Sequence, residues 1–311
     1  MPGFKVGHFT LSQRPTGCTV VIAPPNTVGG VDVRGGAPGT IETDLLKPEN
    51  TVGIVNAVFL TGGSAFGLAV HSGVQQFLES QKQGYPAGGF FVPIVPGAVI
   101  FDLPVGDGRI RPDGDCGFKA ATAANDGPIE EGSVGAGAGA TVGKFTGGRP
   151  MKGGVGYAAL KMDNGLVVAA IVVTNSVGSI VDPTTGKAIA GVRAADGKTL
   201  EDPRALIRRG VAPSGSPVEN TTIGVVMTNA RLTKAEATKV AGMAHDGLAR
   251  TIYPVHTGSD GDTLFTLASG TVTAEFSRVG TLAAEAVADA VLRAVRAAKG
   301  LPNYPSISDL A

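Results

Sequence analysis

Pro213-Ser214-Gly215-Ser216-Pro217-Val218-Glu219-Asn220 runs directly into Thr221-Thr222-Ile223-Gly224-Val225-Val226-Met227-Thr228. The first half has the composition of an exposed, poorly packed connection, because proline fixes φ, glycine frees it and serine competes for backbone hydrogen bonds. The second half is an apolar, β-branched run of the kind found in buried strands. A loop therefore ends at Asn220 and a core strand starts at Thr221. The rest of the chain can be read outward from that junction.

Downstream, Thr233 and Glu236 form a capping box that opens a helix reaching about Arg250. A turn around Gly261 leads to a second apolar strand, Thr263 to Leu267. An Ala-rich amphipathic helix from about Thr281 to Lys299 closes the pattern, stopped by Gly300 and Pro302. Upstream, Asn175 to Glu219 reads as a long polar connection with some helix around Pro203 to Arg209. Before it, Val155 to Met162 and Leu166 to Thr174 flank Asp163-Asn164-Gly165, a strong hairpin signal. Buried strands are expected from Cys18 to Ala23, Val52 to Leu60 and Ala98 to Phe101, with a glycine-wrapped strand-like piece around Val31-Asp32-Val33. Thr61-Gly62-Gly63-Ser64 opens a helix to about Lys82, with Phe66, Val70, Val74 and Phe77 at helical spacing. This order describes a layered α+β sandwich. No repeat or charged linker forces a second domain.

Composition removes several classes of function. The 311 residues are 43% hydrophobic, enough for a large core, and 26 Lys+Arg balance 26 Asp+Glu without a tryptophan or a polybasic run. Nucleic acid is not an expected partner. Neither a signal peptide nor an apolar span long enough for a membrane helix is legible, so the chain reads as cytoplasmic. Cys18 and Cys116 lie far apart and read as inert thiols. His8, His71, His245 and His256 form no metal-binding pattern and read as ordinary surface or core histidines; neither metal nor cofactor is expected. The 47 glycines follow no triplet period, which points to tight turns and close packing between layers.

Three familiar motifs fail on inspection. Gly135-Ala136-Gly137-Ala138-Gly139-Ala140 has the loose form of a dinucleotide fingerprint, but no strand leads into it and no acidic residue follows at the right distance. Gly143-Lys144 is followed by Phe145 where a P-loop needs Ser or Thr. Ser64 lacks the second glycine of a nucleophile elbow and reads as part of a helix start.

Glu219-Asn220-Thr221-Thr222-Ile223 is different, because a chemical junction coincides with a structural one. A hydroxyl residue that opens a buried strand after a loop is where an N-terminal-nucleophile enzyme needs its cut. Two further stretches bear on it. His256-Thr257-Gly258-Ser259-Asp260-Gly261-Asp262-Thr263-Leu264-Phe265 carries two carboxylates around a glycine just before a strand; the plain alternative is a polar turn. Val172-Val173-Thr174-Asn175 ends a strand in an amide, ordinarily a turn residue.

Taken together with Gly35-Gly36, Leu60 to Leu68, Ala98 to Leu103 and Gly135 to Lys144, these pieces make the chain resemble the L-aminopeptidase/D-esterase family, including its relative the endo-type 6-aminohexanoate-oligomer (nylon oligomer) hydrolase. The resemblance implies a four-layer α/β/β/α fold of the N-terminal-nucleophile type. It implies one hydrolase domain, cut into residues 1–220 and 221–311 and assembled as a homotetramer. It makes Thr221 the nucleophile and Asn220 the residue before the cut. Asp260 and Asp262 become the acidic pair that orients and activates Thr221, Lys144 the lysine beside it, and Asn175 the oxyanion-side amide. Phe101 and Asp102 fall at the substrate-binding position. There, Phe101 replaces the tyrosine expected in the nylon-oligomer branch, and Asp102 is the one carboxylate near enough to greet a substrate amine. The expected substrate is a small or oligomeric amide, internal or uncharged in preference to a free N-terminal residue. Competing classes are an aminopeptidase/esterase, a metal-dependent hydrolase built on Asp260 and Asp262, and a non-catalytic α/β binding protein in which Asn220-Thr221 is merely a loop-to-strand junction.

Overall fold

The structure, a computed structural model, describes residues 1–145, 149–210 and 220–310; the connection expected from Pro213 to Glu219 lies outside the described residues. The first part of the chain forms β1 (Lys5–Thr10), β2 (Gly17–Ile22), β3 (Val28–Val33), β4 (Thr40–Ile41), β5 (Ala57–Thr61), α1 (Val70–Ser80), β6 (Tyr85–Ala87), β7 (Phe90–Val92), β8 (Gly97–Val99) and α2 (Gly114–Thr122). The middle forms β9 (Thr141–Val142), β10 (Met151–Lys152), β11 (Gly154–Lys161), β12 (Val167–Asn175), β13 (Ser179–Val181), β14 (Ala188–Ala190) and α3 (Pro203–Arg208). The last part forms β15 (Thr221–Ala230), α4 (Lys234–Thr251), β16 (Ile252–Tyr253), β17 (Thr263–Val272) and α5 (Phe276–Arg296).

Two five-stranded sheets stack, in the orders β1-β2-β5-β8-β4 and β11-β12-β15-β17-β3. The central strands of the second sheet are apolar on both faces because both faces are covered, and the side-chain period of two sorts them. In β12, Ala169, Ile171 and Val173 join the core between the sheets. Val168, Ala170 and Val172 face the other way, into the core under α4 and α5. A third core packs α1 and α2 on the outer face of the first sheet through Val20, Phe59, Val70, Val74 and Cys116. The layers therefore run helices, sheet, sheet, helices, the expected α/β/β/α order.

Glycine lets the helices settle on the sheets. A Cβ at Gly7 on β1 would come within 2.0 Å of the Ala120 carbonyl of α2, and one at Gly156 on β11 within 2.0 Å of the Ala290 carbonyl of α5. No side chain fits at either contact.

Several expectations need correction. Cys18 and Cys116 are bonded as a disulfide, with Cα atoms 6.2 Å apart across 98 residues. Separation along the chain says nothing about a helix that folds back onto a strand, and α2, capped by the Asp113 carboxylate on the N–H groups of Asp115 and Cys116, was not legible as a helix. The polar connection after Asn175 holds a hairpin of a buried strand, β13, with a half-buried one, β14, and β16 completes it. The strand expected from Val52 is shorter, because Val55 gives its N–H to Thr27 O and only Ala57–Thr61 joins the sheet. Helix α1 is entered through a 3-10 turn, Ser64–Ala69, starting from Gly63 at φ 90°. Phe66 lies on that turn, exposed and stacked under the Arg111 guanidinium at 3.5 Å, instead of facing the core.

Candidate active site

The central strand of the second sheet begins at Thr221, and its two neighbours bring polar groups to the same end. β12 ends at Asn175, the register partner of Thr221. β17 starts at Thr263, opposite Ile223, so the turn before it passes alongside Asn220, Thr221 and Thr222. All of Thr221, Asn175, Asp260 and Asp262 are buried. The junction found in sequence thus lies inside the sandwich, at one end of the shared core.

Asn220 is held from the side by the 257–262 turn. Its N–H donates to Ser259 O at 2.9 Å, and its carbonyl oxygen accepts the Gly261 N–H at 2.7 Å. The same oxygen accepts the Thr221 hydroxyl at 2.5 Å. A Cβ at Gly261 would stand 2.8 Å from Thr221 Oγ1 and 2.6 Å from Ala37 O, so only glycine lets this N–H reach the carbonyl beside the hydroxyl.

The two carboxylates are held differently. Asp262 accepts the Thr222 N–H on Oδ1 at 2.7 Å, and on Oδ2 the His256 N–H at 3.2 Å and ring Nδ1 at 2.8 Å. Asp260 accepts the Thr257 N–H at 2.8 Å and hydroxyl at 2.7 Å, both on Oδ2. Its buried Oδ1 has no hydrogen-bond partner among the described residues. Burial first, and the neighbouring Asp262 charge second, push the Asp260 carboxyl above the ordinary range.

Lys144 approaches from the opposite side. Its Nζ donates to Asn175 O at 3.0 Å and to Asn175 Oδ1 at 2.9 Å. Oδ1 also accepts the Thr141 N–H at 3.0 Å. Two donors fix which end of the amide is oxygen, and Nδ2 then points to Phe101 O at 3.2 Å with its second hydrogen uncommitted to that bond. Burial pulls the Lys144 ammonium down to about 7, against the opposing attraction of Asp260 and Asp102. A second lysine, Lys152, was not singled out in sequence. It is fully enclosed, donates to the carbonyls of Gly137, Ala140 and Gly153, and is also pulled to about 7 by burial.

The remaining expected residues part company. Phe101 contributes its carbonyl to Asn175, as above. Asp102 is buried and committed elsewhere: Oδ1 accepts Arg14 at 3.0 Å and the Gly63 N–H at 2.8 Å, and Oδ2 accepts the Thr16 hydroxyl at 2.6 Å. Arg14 completes its fork on the carbonyls of Asp102, Val105 and Ile110. Neither Arg14 nor His256 was legible as a partner of these groups. The one sequence hint was that His256 stands six residues before Asp262 within the same polar turn.

The arrangement collects a hydroxyl, two carboxylates, a lysine and an amide at a strand start, and the profile of peptidase family S58 matches residues 1–305. The chain belongs to peptidase family S58. Among members of similar sequence, a protein named as an uncharacterized aminopeptidase from Mycobacterium leprae is 46% identical, with 97% of this chain and 91% of that protein aligned. A 6-aminohexanoate-oligomer endohydrolase from Kocuria sp. is 31% identical over 95% of this chain and 84% of its own. Among solved structures, the L-aminopeptidase D-Ala-esterase/amidase of Ochrobactrum anthropi, described as a variant of the Ntn hydrolase fold, superposes with a TM-score of 0.74 at 18% identity, covering 98% of this chain and 87% of that one. The S58 membership makes this chain a hydrolase acting on amide bonds. No helix among the described residues is long and apolar enough to cross a membrane.

Proposed function

We propose that this S58 hydrolase cuts its own chain between Asn220 and Thr221 and then uses Thr221 as an N-terminal nucleophile on amide substrates. The observation that carries the reading is the Asn220 carbonyl, whose oxygen takes the Gly261 N–H and, at 2.5 Å, the Thr221 hydroxyl. In the uncut chain, Thr221 Oγ1 attacks the Asn220 carbonyl carbon and gives up its proton. The Gly261 N–H meets the charge that develops on the carbonyl oxygen. The peptide C–N bond breaks, the nitrogen takes a proton, and the acyl group is left on Oγ1 as an ester. Water hydrolyses that ester, leaving a carboxylate on Asn220 and a free α-amine on Thr221.

The freed amine supplies what a threonine hydroxyl lacks, a base of suitable strength. An unperturbed α-amine has a pKa of about 7.7–8.0, close to working pH. The amine takes the hydroxyl proton as Oγ1 attacks the substrate carbonyl, and it returns a proton to the departing amine. An acyl-enzyme forms and water releases it. The uncommitted hydrogen on Asn175 Nδ2 serves the tetrahedral oxyanion, while Asp260 and Asp262 hold the turn and strand that carry the nucleophile.

The substrate belongs with internal or uncharged amides, such as amide oligomers. An enzyme that requires a free amino terminus needs a carboxylate to meet the ammonium. Asp102, the candidate from sequence, is fully engaged by Arg14, Thr16 and Gly63. A second reading, an aminopeptidase, draws support from the name of the Mycobacterium leprae relative. Assembly of cut chains into a homotetramer completes the proposal, and sedimentation of the processed protein measures it.

Denaturing intact mass and N-terminal sequencing of the wild type beside Thr221→Ala test the mechanism. The wild type is expected as residues 1–220 and 221–311, the second beginning Thr-Thr-Ile-Gly, with the variant whole. A wild type that stays one chain in every folded preparation overturns self-cleavage. For the substrate, free and N-blocked aminoacyl p-nitroanilides are compared. Hydrolysis confined to the free amines sinks the internal-amide reading.

A further inference from the structure

His256 takes no part in the chemistry above, yet it stands directly behind it. Both its backbone N–H and its ring Nδ1 reach Asp262 Oδ2, while Asp262 Oδ1 receives the N–H of Thr222, next in the chain to Thr221. In the tautomer with the hydrogen on Nδ1, the ring donates to this carboxylate oxygen as the backbone N–H does. The residue adopts φ 56°, a left-handed conformation that a residue with a Cβ rarely takes. The backbone is thus bent to place two donors on one oxygen.

The far side of the ring is closed by another histidine. His245 on α4 packs edge to face against it, ring centroids 4.8 Å apart, and is wholly buried. Its Nε2 lies 3.1 Å from Asp32 O and 3.7 Å from the Asp32 carboxylate on β3, which Arg34 Nε holds at 2.8 Å. Burial pulls His245 down to about 4, so it is neutral at pH 7 and presents an uncharged wall. His245 therefore offers Asp262 no charge. The hold on Asp262 Oδ2 from this side comes from His256 alone among the described residues.

We propose that His256 is a positioning residue for the Thr221 nucleophile, acting through Asp262. With Nδ1–H and N–H on one oxygen, the carboxylate cannot rotate about its own axis, and its other oxygen fixes the Thr222 N–H. That bond sets where Thr221 sits against Gly261 and Asp260. Without Nδ1–H, Asp262 keeps one donor on Oδ2 and swings, and the first residue of β15 loosens at the position where sub-ångström placement governs rate. The proposal rests on Thr221 being the nucleophile.

The test uses the full chain with His256→Leu and His256→Asn, each in the wild-type and the Asp262→Asn background. Self-cleavage is followed by intact mass, which needs no substrate, and kcat and KM are measured on a p-nitroanilide once processing is complete. Leucine keeps bulk and removes the donor. Asparagine keeps an N–H at the same branch of the side chain and tolerates positive φ. His256→Leu is expected to slow self-cleavage and kcat by about 10- to 100-fold, the range for losing an outer hydrogen bond that orients a working group, with KM little changed. His256→Asn recovers most of that loss, and in the Asp262→Asn background neither change costs anything further, the signature of coupled residues. Equal losses in both backgrounds, or no rescue by asparagine, overturn the proposal. Should the leucine variant fail to fold, His256→Gln moves the donor outward by one bond, and wild-type rates from it overturn the proposal as well. Thr221→Ala run alongside separates the two ideas. If it still splits, the nucleophile reading fails; if it is inert while His256→Leu retains wild-type rates, only the role of His256 fails.

Discussion

Two buried acids, Asp102 just after β8 and Asp260 in the turn before β17, differ in how completely their charges are satisfied. Asp102 has donors on both oxygens, and Arg14 spends its whole fork on Asp102 and on the carbonyls of Val105 and Ile110. Asp260 spends one oxygen on Thr257 and leaves the other buried without a partner among the described residues. A buried charge that is fully bonded fixes a structure, whereas one that is half bonded is an energetic cost kept for another reason. The difference supports the proposed division, in which Asp102 serves the fold and Asp260 the chemistry.

That contrast can be broken by experiment. The largest effect belongs to Thr221→Ala, which is expected to abolish both chain splitting and amide hydrolysis while leaving a folded 311-residue chain. Residual turnover within tenfold of the wild type would place the nucleophile elsewhere. Next, Arg14→Met leaves Asp102 charged and unpaired in the core, and should cost about 3–5 kcal/mol of stability in urea unfolding. Its kcat per folded molecule should match that of the wild type. A loss of kcat without a loss of stability would move the Arg14–Asp102 pair into the site. Asp260→Asn should do the reverse. Removing a half-satisfied charge is expected to leave the unfolding midpoint unchanged or raised, while self-cleavage slows by about 10²–10³-fold, the scale of one lost electrostatic contact in a site. A destabilised variant with normal cleavage would make Asp260 a structural acid like Asp102.

The sequence reached the sandwich because its central strands advertise themselves. The hairpin at Asp163-Asn164-Gly165, the run from Thr221 and the capping box at Thr233 are local signals, and the structure places elements at all three. Helix α2 escaped, since Gly114 to Thr122 holds glycine, cysteine and small residues whose helicity depends on packing against β1 and β2. The Cys18–Cys116 bond escaped with it. At the site, Thr221, Asn175 and the acidic pair were legible because a family pattern named them. Register and turn geometry then bring Asn175 opposite Thr221 and the 257–262 turn beside Asn220. Lys152, Arg14 and His256 could not be found this way. Each bonds to the backbone, to a residue distant in sequence or to one hidden within a turn, and a lone Lys, Arg or His carries no spacing to read.

The smallest expected effect concerns Lys152, and it compares the two lysines that burial pulls to about 7. A lysine in an unfolded chain keeps its proton to about pH 10.4, so between pH 7 and that value the unfolded state binds more protons than the native one. Unfolding free energy then rises with pH across this window, and below pH 7, where both states are protonated, the contribution is flat. Lys144 and Lys152 act in the same direction, so the wild type alone cannot separate them. Lys152→Met, studied with the wild-type lysine in a Thr221→Ala background so that both remain one chain, removes one share. It orphans the carbonyls of Gly137, Ala140 and Gly153, a penalty that does not vary with pH. The stability lost by the variant should therefore be smallest near pH 7 and grow toward pH 9, by at most about 1.4 kcal/mol per pH unit, because only the lysine-containing chain gains as its ammonium empties. Parallel stability curves from pH 7 to 9 would mean that Lys152 stays charged on its three carbonyls. If those parallel curves still rise, Lys144 is the lysine whose proton moves; if they are flat, both lysines stay charged.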